Sequence, residues 1–183
     1  MKKILLTLIA TSLVPTTTLA NEDTLNKEQI ISFYKGLAAA QTQSIDKQIS
    51  LLNMHLNPMG QYTVEAITDM SVFGVPAQSQ TMQLTRDQVI EQTKAGAETM
   101  QVTSYASNPT NIQISSDGKS ATLLEQNSAQ AVGDLPLPSG NMSVKMEISG
   151  QCNDQLSLNK GVIIVDKSNC KITTIISPVS KEL

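Results

Sequence analysis

Apolar positions change their period along this 183-residue chain, and each change marks a different kind of element. After Lys2 and Lys3, residues 4–14 are apolar without periodicity and end at Pro15, three threonines, Leu19 and Ala20. Over residues 26–40 helical spacing takes over, with Ile30, Phe33, Tyr34, Leu37 and Ala38 on one face. Asn26, followed three positions on by Gln29, has the form of a capping box and predicts where that helix starts. Ser44 can cap a second helix in which Ile45, Ile49, Leu52 and Leu56 share a face, stopped by Asn57-Pro58-Met59-Gly60. The two predict a helical hairpin.

The period then drops to two. Tyr62, Val64, Ala66, Met70 and Val72 alternate with Thr63, Glu65, Asp69 and Ser71, the repeat of a half-buried strand, which Gly74 and Pro76 bend or end. Residues 72–82, rich in Gln, Ser and Met, read as a loop suited to contacts. Thr85 with Gln88 opens a third, rather polar helix from Arg86 to about Gly96, turning Val89, Ile90 and Thr93 inward. Everything beyond reads as sheet. In its first strand, residues 99–106, Met100, Val102 and Ser104 alternate with Gln101, Thr103 and Tyr105, and Asn108-Pro109 marks a break or bulge. Ile112 and Ile114 lead into a turn at Ser116-Asp117-Gly118-Lys119, and residues 121–131 return. A loop over 133–140 precedes a strand over 142–152, and a last hairpin pairs 162–166 with 170–176 across Lys167-Ser168-Asn169. Helix, helix, strand, helix and then four or five antiparallel strands form an α+β plan, a curved sheet wrapped on a helical layer.

Charge and composition narrow what such a domain does. The first twenty residues have the charged start, apolar middle and small-residue end of a secretory signal peptide, with Thr18 and Ala20 before the cut, so cleavage after Ala20 is expected. The apolar run is about half the roughly 20 residues that a bilayer span needs, so stable membrane insertion after cleavage is not expected. The mature chain, 21–183, is then one domain of 163 residues, and loss of the two leader lysines takes the formal charge from −3 to −5. The expected location is the periplasm or the medium outside the cell. Scattered cations, a single arginine and no tryptophan argue against nucleic acid as a partner. Cys152 and Cys170, an even pair in an exported protein, read as one disulfide. Seventeen residues between them do not suit a CxxC redox pair, and a turn or irregular segment within 153–160 is expected to bring them together.

In element order the chain resembles the NTF2-like, or SnoaL-like, superfamily of cone-shaped α+β domains, which includes the ketosteroid isomerases. The resemblance spans residues 26–177 and is carried by the segment 29–56, the helix opened by Thr85 and the hairpin over 162–176. It implies three N-terminal helices packed on a curved antiparallel sheet, with a pocket between them whose walls hold the reactive groups in the superfamily's enzymes. Candidates for such groups are Tyr34, His55, Glu65, Asp69, Tyr105, Glu125 and Glu147. Tyr34 with Asp69 is the leading pair: a carboxylate raised in pKa by an apolar cavity would act as base while the hydroxyl stabilises an enolate oxygen. Glu125 or Glu147 would supply a third acid. Tyr34 also fits as a core residue with its hydroxyl at the rim, and Glu65 and Asp69 lie on the polar side of their strand. The spacing of 35 residues between Tyr34 and Asp69 does not match the isomerase pattern.

Other chemistries find no motif. His55 is the lone histidine and has no further nitrogen or sulfur ligands around it in the sequence, so no metal is expected. A serine-nucleophile elbow and a phosphate-binding glycine loop are both lacking, and no cofactor is expected. The reading that fits every feature is an exported noncatalytic module of the bacterial cell envelope, binding a small apolar ligand or an envelope protein, with a homodimer among its assembly states. An acid/base pocket enzyme of isomerase or lyase type is the alternative, as is a structural subunit of an envelope or secretion assembly.

Overall fold

The computed structural model describes residues 23–137 and 140–179. The expected signal peptide and its cleavage after Ala20 lie outside the described residues. Helix α1 spans Lys27–Ala39, and its capping box forms as the sequence predicts: the Asn26 side chain accepts the Gln29 N–H at 2.9 Å, and the Gln29 side chain accepts that of Asn26 at 2.8 Å. Ile30, Phe33, Tyr34 and Leu37 are buried on one face. Helix α2, Ile45–His55, buries Leu51, Leu52 and His55 rather than Ile45 and Ile49, which stay half-buried. No loop follows it. Leu56 already belongs to strand β1, Leu56–Met70, so the Asn57-Pro58-Met59-Gly60 stretch ends the helix by entering the sheet.

A 3-10 turn at Ser71–Phe73 and Gly74, at φ 72°, reverse the chain into strand β2, Val75–Leu84. That segment was expected as a loop. It pairs antiparallel with β1 from Tyr62↔Leu84 to Met70↔Val75 but lies at the sheet edge, where no second neighbour covers it. Mostly exposed residues give it little hydrophobic alternation, and an edge tolerates Pro76. Helix α3, Arg86–Ala97, starts at a second capping box made by Thr85 and Gln88. It therefore follows two strands, so only two of the three helices are N-terminal to the sheet, a correction to the expected layout.

Four long strands complete the fold: β3 Met100–Ile114, β4 Ser120–Leu137, β5 Gly140–Asn159 and β6 Val162–Pro178. The sheet order is β2-β1-β6-β5-β4-β3. Its neighbours are antiparallel except β1 and β6, which run parallel, so the sheet is mixed and not the antiparallel one expected. The meander from β3 returns strand by strand until β6 meets β1, and a parallel contact needs a long connection of this kind. The expected loop over 133–140 shrinks because β4 and β5 stay paired to Leu137↔Gly140. The expected hairpin across Lys167-Ser168-Asn169 is not formed either, since β6 is continuous there and turns back on β5 at Lys160 and Gly161. All three helices pack on one face of the sheet, and the core lies between them.

Candidate functional site

The inward face of the sheet is largely apolar and carries a buried polar seam. Glu125 on β4, Asp154 on β5 and Ser168 on β6 are buried there, and Tyr34 reaches them from α1. Strand register explains the meeting. Glu125 stands opposite Cys152 and Asp154 opposite Leu123, so the two acids are diagonal neighbours on one face, and Asp154 is opposite Ser168. The Tyr34 hydroxyl donates to Asp154 Oδ2 at 2.5 Å, and Ser168 Oγ donates to Oδ1 at 2.5 Å. Glu125 Oε1 accepts from Ser107 Oγ at 2.6 Å. Both carboxyls sit in low dielectric, where a charge is costly.

Burial and the charge of Asp154 push the Glu125 pKa from its ordinary 4.5 up to about 7, against the bonds from Ser107 and Asn127 that favour the ionised form. Burial raises the Asp154 pKa as well, opposed by donation from Ser168 and Tyr34. Two neighbouring acids of this kind titrate as a pair and share charge. Burial first, then the nearby carboxylates, hold the phenols of Tyr34 and Tyr105 well above their ordinary 10. Tyr105 was expected on the polar side of its strand. A register shift between Val102 and Ser104 inserts an extra residue, reverses the alternation and turns Tyr105 inward. Part of its surface stays exposed.

Of the expected site residues, the structure brings Tyr34, Tyr105 and Glu125 together and leaves the rest apart. Asp69 is on the outer face of β1, opposite Ile175, where its carboxylate accepts the Ser71 N–H at 2.9 Å, which lowers its pKa. It does not join Tyr34. Glu65 and Glu147 are also on the outer face, paired with Lys171 and Lys145 at 2.9 Å each. His55 is buried against Phe33 with Nδ1 2.7 Å from the Ile163 carbonyl. A carbonyl only accepts, so Nδ1 carries the proton and Nε2 is an acceptor, without a partner among the described residues. Burial lowers the His55 pKa and keeps the ring neutral. Among the described residues no group of three or more His, Cys, Asp or Glu side chains is placed to hold a metal ion.

Asp154 was not among the sequence candidates, because a turn was expected within 153–160. The alternation Val144, Met146, Ile148, Cys152, Leu156 carries it in phase with the buried side, and that was the signal available. The expected turn falls at the end of the 153–160 stretch, where β5 stops at Asn159 and the chain reverses, so Cys152 faces Cys170 directly across β5 and β6 with Cα atoms 4.0 Å apart, and they form a disulfide. Their strands fold back at Lys160 and Gly161, which halves the span that the seventeen intervening residues must cover. Ser168 Oγ lies 3.2 Å from Cys170 Sγ, so the disulfide floors the acid pair.

A cleft lies apart from this seam. It measures about 340 Å3 and is bounded by Gln41, Thr42 and Gln43 between α1 and α2, by Ile45 and Gln48 of α2, by Thr93, Gly96 and Ala97 of α3 and by Met100, Gln101 and Val102 of β3. None of these side chains titrates near neutral pH, and none belongs to the acid seam. Gln41 is 3% exposed, and its Nε2 has no hydrogen-bond partner among the described residues. An unmet buried donor of that kind costs about 1–3 kcal/mol.

No protein-family model and no curated protein matches the chain. Among solved structures it is similar to a conserved protein from Planctomyces limnophilus, at 8% identity over 83% of this chain and 94% of that one, with a TM-score of 0.48. It is also similar to a ketosteroid isomerase-like protein from Erwinia carotovora atroseptica, at 13% identity over 84% and 100% of the two chains and a TM-score of 0.45. A hexachlorocyclohexane dehydrochlorinase, LinA-type3, from Novosphingobium barchaimii is similar at 14% identity over 79% and 86%, with a TM-score of 0.41. These neighbours are NTF2-like proteins, the group that the element order resembles. Likenesses at TM-scores of 0.41–0.48 carry no argument about the site, whose chemistry rests on its own geometry.

Proposed function

We propose that this chain is a noncatalytic α+β binding domain of the bacterial cell envelope that holds a small uncharged molecule in the cleft between the α1–α2 connection, α3 and β3. One observation carries the reading: the cleft of about 340 Å3 is lined by none of the groups able to move protons. General acid–base catalysis needs a titratable group within hydrogen-bond reach of the substrate. The cleft is lined by amide, hydroxyl and apolar side chains, while Tyr34 at 2%, Asp154 at 4% and Glu125 at 9% exposure are enclosed by the core. The lining favours a ligand with some polar character over the wholly apolar one expected from the sequence.

Envelope location rests on the first twenty residues and on the disulfide, which persists in oxidising compartments. Native mass spectrometry of protein purified without denaturant is the direct test, paired with a thermal-shift screen of small neutral molecules. A bound mass, or a saturable rise in melting temperature that localises to the cleft, supports binding. Protein that copurifies with nothing and responds to no member of the screen overturns it. An N-terminus at Asn21 on exported protein supports the location, and retention in the cytoplasm with Met1 intact refutes it.

A second reading is favoured by one specific feature, a buried carboxyl with a pKa of about 7 beside a hydrogen-bonded tyrosine–aspartate pair. Those are the parts of an acid/base enzyme. They would act only if α1 moved off the sheet to admit substrate, and exchange of the Tyr34 hydroxyl proton slow on the NMR timescale would rule such opening out.

A further inference from the structure

The disulfide and the acid seam meet at two points, each through one uncharged side chain. Ser168 Oγ donates to Asp154 Oδ1 at 2.5 Å and lies 3.2 Å from Cys170 Sγ. On the other side Asn127 Nδ2 donates to Cys152 Sγ at 3.8 Å, and the same side chain bonds to Glu125. Gly150, opposite Asn127 across β4 and β5, leaves room for that amide: a Cβ there would lie 2.5 Å from Asn127 Oδ1. The ion pairs of the described residues involve neither acid. The titratable groups turned toward the pair are Tyr34 from α1, Tyr62 from β1 and Tyr105 from β3, while Arg86 and Asp166 act on Tyr62 and on neither acid. His55 of α2 faces the Ile163 carbonyl instead.

A disulfide sulfur carries no hydrogen and only accepts, so in the oxidised chain Cys170 offers Ser168 nothing, while Ser168 gives its single proton to Asp154. We propose that the Cys152–Cys170 bond and the Glu125–Asp154 pair form one redox-linked proton switch, in which breaking the bond brings two thiol donors into the seam and makes it give up its proton more readily. A dithiol reductant supplies the step: two electrons and two protons pass to the sulfurs, the S–S bond becomes two S–H groups, and the reductant closes into its own disulfide. Cys170 S–H then donates to Ser168 Oγ, which keeps donating to Asp154, and Cys152 S–H stands directly opposite Glu125. Donation toward a carboxylate favours its ionised form. By linkage the effect is mutual, and ionised acids favour the dithiol by the same factor. The switch involves the seam alone and holds whether or not the cleft takes a ligand.

Carboxyl NMR tests this directly. Full chain carrying 13C in its Asp and Glu carboxyls is titrated in the oxidised form, and again after dithiothreitol has acted until thiol labelling finds both cysteines free. The Glu125 carboxyl of the oxidised chain is expected to titrate at about 7. Reduction is expected to lower that midpoint by about half a pH unit, an about threefold change in the equilibrium, because S–H is a weak donor. The double variant Cys152→Ala, Cys170→Ala separates donation from mere loosening of the core, since it lacks both the bond and the S–H groups, and its midpoint should stay with that of the oxidised chain. The reciprocal measurement needs no variant and stands even where the alanine pair fails to fold. Exchange with dithiothreitol consumes and releases equal numbers of protons, so any pH dependence below the thiol range comes from the linked acids, and the constant for reducing the protein should rise about threefold from about pH 6 to about pH 8. No carboxyl shift on reduction, the same shift in the alanine variant, an exchange constant that does not rise, or loss of the folded amide spectrum on reduction would each overturn the switch.

Discussion

Replacing Glu125 by Gln should make the protein more stable in mildly alkaline solution, the reverse of what loss of a buried polar contact usually does. In the folded chain Glu125 has a pKa of about 7 against an ordinary 4.5, because burial and Asp154 both oppose its charge. Between those two values the unfolded chain has given up a proton that the folded chain still holds, so stability falls as pH rises. A tenfold change in equilibrium is worth about 1.4 kcal/mol, and the interval between 4.5 and about 7 then comes to about 3 kcal/mol, lost in full above the folded pKa. Gln carries no charge at any pH and keeps an oxygen to accept from Ser107. Urea unfolding of the native chain and of Glu125→Gln is compared at about pH 5 and about pH 8. About 2.5 kcal/mol of that is lost between the two conditions, so with a denaturant slope of about 2 kcal/mol/M the native midpoint should drop by about 1.2 M relative to the variant. Taking the difference between the proteins cancels titration of the shared groups that do not interact with Glu125. Equal pH dependence in both, or a variant less stable than the native chain at about pH 8, would refute the placement of Glu125 in a dry interior beside a second acid.

Tyr34→Phe removes the donor to Asp154 Oδ2 and leaves a buried acceptor unmet, so it should cost about 1–3 kcal/mol in urea unfolding; no loss would show that the hydroxyl is solvated. The double variant Cys152→Ala, Cys170→Ala opens a loop with a sequence separation of 18, for which a loss of about 3 kcal/mol is expected by thermal or urea unfolding, and thiol labelling of nonreduced native protein should detect no free cysteine. Gly133→Ala places a Cβ 2.5 Å from the Thr99 carbonyl oxygen, a backbone atom that cannot swing aside, so a loss of about 1–3 kcal/mol should appear in its unfolding midpoint.

The helices were legible because their signals are local. Asn26 with Gln29 and Thr85 with Gln88 fix the starts of α1 and α3 through bonds between residues three apart, and such bonds depend little on the rest of the fold. Inward alternation of Tyr62, Val64 and Ala66 likewise marked β1, because a strand buried on one face must alternate. The edge strand β2 escaped notice since a strand with only one neighbour and little core contact is under weak pressure to alternate. Tyr105 was put on the wrong face by a bulge that no residue nearby announces, and one extra residue inverts every side chain beyond it.

Sequence alone, then, settled the α+β plan, the cysteine pairing and the place of Tyr34 on the apolar face of its helix, and left Glu125 as one of two candidates for a further acid. Tertiary structure decided which of the acids met. Asp69 and Asp154 are both carboxylates on strands, yet one accepts a backbone N–H at the surface and the other accepts the Tyr34 hydroxyl in the core. That difference follows from strand register and from the return of β6 to β1, which bring together residues more than a hundred positions apart, and no local pattern in the chain encodes a distance of that length.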